Sequence, residues 1–378
     1  MLVKGNIVLI KDIRSILLIQ LGDIGDVVWA TPTFRAVKEA CPQGNVSVLL
    51  RESFGSLLDA DPHIHKIFEV KQYKGTLLDK AKKQIEFIRD LRKECFDLVF
   101  DLRSDERGAY MALLSGAQIR AAMLYCSLKW RNRFFTHLAD PPVPKERIYG
   151  AAEQSLRVVR EFGIDTKDTT PKLWISEKVK KRAEKLSDSH GVAAVSRWIT
   201  LNPFSRWQYK EWGYEKWVQI IDWLREEYGI STVIVGAPGE REKSIDIASK
   251  CRRQIFNLTG KTTLDELAGV LSLSSLHVGV DSAAPHIAAA VGTSTITIYG
   301  PSDWRDWAPQ GNIHNVITPD SDCVPCYQKG CDNTGRSRCL EGLTVDKVKG
   351  VIQEFLTVGM PDEPNFCTAS GDISSPDR

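Results

Sequence analysis

Ser15–Leu21 reads SILLIQL and opens at once into GDIGD. An unbroken apolar run closed by glycines and acids fits a parallel strand buried on both faces, followed by a substrate-facing loop and a helix. Such a strand needs neighbours on both sides, and the sequence supplies them. Asn45–Arg51 (NVSVLLR), Lys66–Val70 and Phe96–Asp101 (FDLVFD) are further apolar runs. Between them, Lys74–Cys95 sets Leu77, Leu78, Ala81, Ile85, Ile88 and Leu91 at helical spacing with Lys and Arg on the other face. That is an amphipathic helix, whose apolar stripe ordinarily meets a core. The alternation restarts at Trp198. Strands are expected at Trp198–Pro203, Ser231–Ala237, Ile255–Leu258, Leu276–Asp281 and Ser294–Tyr299. Helices are expected at Glu211–Tyr228, Glu240–Cys251, Thr263–Leu273, Ser282–Val291 and Thr344–Thr357. Strand–helix alternation in two runs implies an α/β chain with two doubly wound halves and a ligand cleft at the carboxyl ends of the strands.

Between the halves, Asp140–Lys145 (DPPVPK) reads as a loop, Arg147–Phe162 as a helix and Asp165–Pro171 as a linker. The expected division is 1–170, 171–345, a terminal helix at 346–360 and a tail at 361–378 without apolar periodicity. A length of 378 residues suits it. Net charge is +2, which gives no electrostatic case for nucleic-acid binding. No apolar run approaches the roughly 20 residues that span a bilayer. Lys4, Lys11, Asp12 and Arg14 interrupt any signal-like start, so a cytoplasmic protein is expected. Nine cysteines in a chain this long do not make a secreted disulfide framework.

Two stretches carry the chemistry. Leu201–Trp212 (LNPFSRWQYKEW) and Gly279–Val291 (GVDSAAPHIAAAV) each begin where an apolar strand runs out. The second turns into a small-residue helix near Ser282, with Asp281 and Ser282 as candidate caps. A helix start offers unpaired N–H groups and a positive dipole end to an anion. Ala283 allows close approach, His286 lies one turn on, and Lys210 brings a compact cation. Together they read as the holder of a sugar nucleotide's diphosphate.

Those stretches, with GDIGDVVWATP near the N-terminus, resemble the heptosyltransferase family, glycosyltransferase family 9, over residues 14–358. The resemblance implies GT-B architecture, two Rossmann-like domains facing each other across a cleft. Acceptor would sit on the first half and nucleotide sugar on the second. It implies transfer of a heptose from ADP-heptose to a lipid A-core or similar glycan, with inversion and no metal or other cofactor required. Asp26 falls on the general base, with Asp23 the second candidate and Arg103 a further acceptor-side residue. Lys210 falls on the phosphate-binding lysine, Ser205 and Arg206 on the pair before it, and Asp281, Ser282, Ala283 and His286 on the donor set. Glu240 falls near a glutamate for the donor nucleoside. Plainer readings stand beside these: Asp26 as an N-cap, Lys210 as a solvated lysine opening a helix, His286 as a core histidine.

Other features leave their readings open. Trp217 and Trp223 fit a helix core, while Trp304 and Trp307 are candidates for lining a cleft. Cys323, Cys326, Cys331 and Cys339 are spaced for a tetrahedral structural zinc, or for reduced thiols packing a loop. Lys129–Phe135 (KWRNRFF) fits either a solvated loop or contact with an anionic inner-membrane surface or glycolipid. Two other function classes remain: a dinucleotide-dependent oxidoreductase, against which GDIGD lacks the G-x-G-x-x-G spacing, and a non-catalytic sugar-nucleotide-binding protein.

Overall fold

The computed structural model describes residues 1–6, 8, 10–103, 105–127, 129–140, 150–192 and 197–358. Most of the expected loop at Asp140–Lys145, the start of the Arg147–Phe162 helix and the tail at 361–378 lie outside them. The chain divides into two compact units between Lys172 and Leu173.

The first unit holds strands β1 (Leu2–Lys4), β2 (Ser15–Ile19), β3 (Asn45–Arg51), β4 (Lys66–Val70), β5 (Leu98–Asp101), β6 (Ile119–Met123) and β7 (His137–Ala139). Its α-helices are α1 (Ile24–Ala40), α2 (Leu77–Arg92), α3 (Glu106–Leu114), α4 (Lys129–Asn132) and α5 (Ala152–Arg160). The sheet order is β1-β7-β6-β5-β2-β3-β4, parallel except for β1 on β7. Read from β4 to β7, this is the 3-2-1-4-5-6 order of dinucleotide-binding folds. The order reverses between β2 and β5, where Ile16 pairs with Leu98 and Ile19 with Asp101. Ile16–Ile19, Val48–Leu50 and Leu98–Phe100 are wholly buried, because helices cover both faces of a parallel sheet.

One expectation fails here and another is narrowed. The apolar stripe of α2 is buried only at its far end. Leu91 is buried with Phe68 and Phe96, and Ile88 is half-buried. Leu77, Leu78 and Ile85 are exposed, because the first turns of α2 have no core beneath them. Nor is Lys129–Phe135 simply an open cationic patch. Arg131 and Phe135 are buried, and Arg131 Nη2 bonds Asp101 Oδ2 at 3.2 Å while its guanidinium carbon lies 4.7 Å from the Phe135 ring centre. Only Lys129, Trp130 and Arg133 of the segment are exposed.

The second unit holds β8 (Trp198–Asn202), β9 (Ser231–Ile234), β10 (Phe256–Asn257), β11 (His277–Val280), β12 (Thr295–Ile298) and β13 (His314–Ile317). Its helices are α6 (Glu177–Ser189), α7 (Tyr214–Tyr228), α8 (Arg241–Lys250), α9 (Leu264–Leu273), α10 (Ala283–Ala290), α11 (Trp304–Trp307), α12 (Arg338–Gly342) and α13 (Val345–Val358). The wholly parallel order β10-β9-β8-β11-β12-β13 repeats the 3-2-1-4-5-6 pattern. Here the reversal lies between β8 and β11, with Leu201 on Val278 and Asn202 on Gly279. The core joins Ile199, Leu201, Val278 and Ile296 to Val348 and Ile352 of α13. Trp217 packs in it edge-on against Trp212, ring centres 5.2 Å apart, and Trp223 lines its margin.

Candidate active site

Each reversal of strand order places two loops side by side at the carboxyl ends of central strands, where open α/β sheets take ligands. In the first unit, β2 leads through Gly22 to Asp23, the N-cap residue of α1. Asp26, in the first turn, bends back: its Oδ2 accepts the Asp23 N–H at 2.8 Å and the Nη1 of Arg103, from the loop after β5. Asp26 is therefore not the N-cap but its reciprocal partner. A β-carbon at Gly22 would strike the Asp26 carboxylate and stand 2.7 Å from Arg103 Nη1, so only glycine lets that pair close over the chain. Arg51, the last residue of β3, donates to Asp23 Oδ1 at 2.6 Å. The Asp26 side chain is 18% exposed and that of Asp23 54%, so Asp26 is the more sheltered carboxylate.

In the second unit, Asn202 ties the two strand ends together. Its Nδ2 donates to Val235 O at 2.9 Å and its Oδ1 accepts from Ser282 Oγ at 2.7 Å. Ser205 Oγ donates to Asp281 O at 3.1 Å. Lys210 does not open α7; it ends a single 3-10 turn, Gln208–Lys210, and its Nζ lies 2.6 Å from Asp281 Oδ2. The Ser282 hydroxyl is spent on Asn202, so no side chain caps α10, and Pro285 has no N–H to offer. The amides of Ala283 and Ala284 thus lead the helix, with the Lys210–Asp281 pair close to its start. His286 is buried in the next turn. Burial, against the pull of Asp281, pushes its pKa down to about 4, so it is neutral at pH 7.

Around this centre, Arg206 lies 5.4 Å from the exposed Trp207 ring, which stacks on Tyr209. Glu240 ends the turn after β9; its carboxylate accepts the Ala237 N–H at 2.7 Å, and burial raises its pKa. Glu211 accepts from Ser205 N at 3.1 Å and from the Tyr214 hydroxyl at 2.7 Å, fixing the loop that carries Lys210. Trp304 and Trp307 are half-buried in α11. Sequence reasoning missed Arg51, Asn202 and Glu211. A polar or charged residue closing an apolar strand was the available signal for the first two.

The four clustered cysteines occupy the segment from the loop after β13 to α12. All four are free thiols, and among the described residues no three His, Cys, Asp or Glu side chains are grouped to hold a metal ion. Burial, with the neighbouring thiols adding, pushes the Cys339 thiol up.

Buried histidines make this unit acid-sensitive. His277, fully buried on Thr200 Oγ1, is pushed down to about 3, and His286 to about 4. Both protonate near pH 6.5 once unfolded. The unfolded chain therefore binds more protons over the intervening range, and stability falls as pH drops from about 6.5 toward 4. The unfolding free energy from urea titrations should decline across that window, by up to about 1.4 kcal/mol per pH unit for each histidine. His286→Gln should flatten the decline.

The sequence model of glycosyltransferase family 9 (heptosyltransferase) matches residues 84–336, more than half of the chain. Lipopolysaccharide heptosyltransferase 3 of Escherichia coli (strain K12) is 29% identical over 292 residues, 75% of this chain and 82% of that protein. The glycosyl transferase family 9 structure from Veillonella parvula DSM 2008 superposes with a TM-score of 0.77 at 22% identity, covering 92% of this chain and 98% of that one. E. coli ADP-heptose lps heptosyltransferase II superposes with 0.74 at 18%, covering 91% and 99%. At those identities the two structures speak for the fold, two Rossmann-like units of the GT-B kind. Fold and sequence agree, and the chain belongs to glycosyltransferase family 9, the heptosyltransferases.

Proposed function

We propose that this glycosyltransferase moves a heptose, with inversion and without a catalytic metal, from ADP-heptose to a lipopolysaccharide-core acceptor at the cytoplasmic face of the membrane. The observation that carries the reading is the Lys210–Asp281 pair near the uncapped start of α10. As the bond from the anomeric carbon to the diphosphate breaks, charge builds on the β-phosphate. The Lys210 ammonium has three donors; one serves Asp281 and two remain for phosphate oxygens. The amides of Ala283 and Ala284 and the neutral ring of His286 add uncharged partners. Ser205 and Arg206 bind beside them, and Glu240 takes the nucleoside hydroxyls. Asp26, steadied by Arg103, takes the proton from the attacking acceptor hydroxyl, and Asp23 with Arg51 borders the acceptor. One displacement from the face opposite the diphosphate inverts the anomeric carbon. The names of the relatives support the donor and acceptor classes, and family membership displaces the oxidoreductase reading.

The test is ADP release and product anomer, followed with ADP-heptose and a delipidated core oligosaccharide. The product should carry the configuration opposite to the donor. Chelation should leave the initial rate within about twofold, because lysine and helix amides meet the leaving charge in place of a Lewis acid. Retained configuration, or a rate lost to chelator and restored by magnesium, overturns the reading. A structural zinc on Cys323, Cys326, Cys331 and Cys339 is a separate proposal, supported by their spacing in the sequence, and it requires the four thiols to draw closer together than they stand here. Four thiolates would leave it no open position for catalysis. Metal analysis of the same sample reads it, and chelation would then lower Tm while sparing the rate below it.

A further inference from the structure

Helix α2 carries its apolar stripe beyond the core that anchors it. On the face shared with buried Leu91, Ile85 is 56% exposed, Leu78 83% and Leu77 84%. Ala81 on the same stripe is exposed as well. Lysine dominates the charge of residues 71–83, while Glu86 follows Ile85 and, with Glu52, acts electrostatically on Tyr73. Lys71, Lys74, Lys80, Lys82 and Lys83 stand against a single acid, Asp79, in residues 71–83. Asp79 is already engaged, accepting the Thr76 N–H at 3.1 Å and the Thr76 hydroxyl at 2.7 Å. All five lysines are exposed, and among the described residues none forms an ion pair. Lys83 lies 5.8 Å from the ring of Tyr73, which keeps one aromatic beside the lysines.

We propose that the first two turns of α2, with Lys71 and Lys74 ahead of them, dock in the plane of an anionic lipid bilayer. This rests on the reading that the acceptor is a membrane-borne glycan. Leucines over a helix flanked by cations are the pattern of an interfacial helix: the leucines enter the boundary between headgroups and chains, and the lysines meet anionic headgroups. Lysine suits this place because its stem lies along the apolar layer while its ammonium stays in water. A protein partner fits less well, since lysine is depleted from protein interfaces and the patch offers no exposed Trp or Arg anchor. No described helix is long and apolar enough to cross a membrane, so binding at the surface is the contact this helix can make.

The test uses the full chain and vesicles of phosphatidylcholine, with or without about a third phosphatidylglycerol. Flotation should recover the protein with anionic vesicles and not with neutral ones, and added salt should release it. Leu77→Glu with Leu78→Glu, and separately Lys80, Lys82 and Lys83→Gln, should each lower the bound fraction about tenfold or more. Both variants should keep wild-type Tm and wild-type transfer to the delipidated acceptor. Equal binding by wild type and variants, or equal binding to neutral vesicles, overturns the docking site. So does a concentration-dependent dimer that the leucine variant abolishes, which would make a second copy the occupant. Loss of transfer to the soluble acceptor by wild type overturns the functional reading instead, whatever the vesicles show.

Discussion

Asp26→Asn is expected to bind ADP-heptose as the wild type does and to lose ~10²–10⁴ in kcat, the usual contribution of a positioned general base. The local structure makes the variant a clean one. Asparagine keeps an oxygen to accept the Asp23 N–H that Asp26 now holds at 2.8 Å. It gives up the charge paired with Arg103, and a partly exposed pair of this kind is worth at most about 1 kcal/mol. Tm should therefore barely move while turnover collapses. Asp23→Asn is the matched control. Asparagine is as good an N-cap as aspartate, and its oxygen can still accept from Arg51, so the ion pair there becomes a neutral-acceptor hydrogen bond. Its kcat should stay within about tenfold of wild type. Initial rates at saturating donor, with calorimetric titration of ADP-heptose, separate the cases. If Asp23→Asn collapses and Asp26→Asn does not, the base is Asp23. Normal turnover in both removes this loop from the chemistry.

The fold was legible where strands are covered on both faces. β2 and β5 have no solvent side and their apolar runs are unbroken, while β3, β8, β11 and β12 are covered as fully and admit only small or hydrogen-bonding residues such as Ser47, Thr200, His277 and Thr297 among the apolar ones. β1, β6 and β7 went unread for the opposite reason. β1 is a three-residue exposed edge, β7 is equally short, and β6 (IRAAM) holds no sustained apolar run. Amphipathicity gave α2 its type but not its burial. The same stripe serves a core at Leu91 and faces water at Leu77, and spacing cannot distinguish them. The residues of the candidate site were visible because they follow central strands. Their partners were not. Asp26 is 77 residues from Arg103, and Ser282 is 80 from Asn202. Only the order of strands, β2 beside β5 and β8 beside β11, brings those pairs together. Arg131 misled for a related reason: a cation among aromatics looks exposed until its buried acid, Asp101, is found 30 positions away.

Lys210→Ala should lower kcat by ~10²–10³, the usual cost of one preorganised donor to developing charge. Its structural effect must be separated from that loss. Asp281 is 8% exposed, and losing the ammonium strips it of a close counter-charge. Some loss of Tm is expected, because a sheltered charge without its partner is costly. Rates should therefore be measured well below the variant's own Tm, beside Lys210→Arg, which restores charge with the wrong shape. A planar fork on a longer stem should recover Tm more fully than kcat. The decisive comparison is between ligands. If Lys210 simply held the diphosphate, the variant would raise KM and leave kcat alone, since binding donor and transition state equally does not speed the chemical step. The proposal demands the reverse. ADP carries on its terminal phosphate the charge that ADP-heptose acquires only as the sugar departs. Lys210→Ala should accordingly weaken inhibition by ADP more than it weakens binding of ADP-heptose. Equal losses for the two ligands would make Lys210 a holder of the donor and leave the departing charge to the amides of α10.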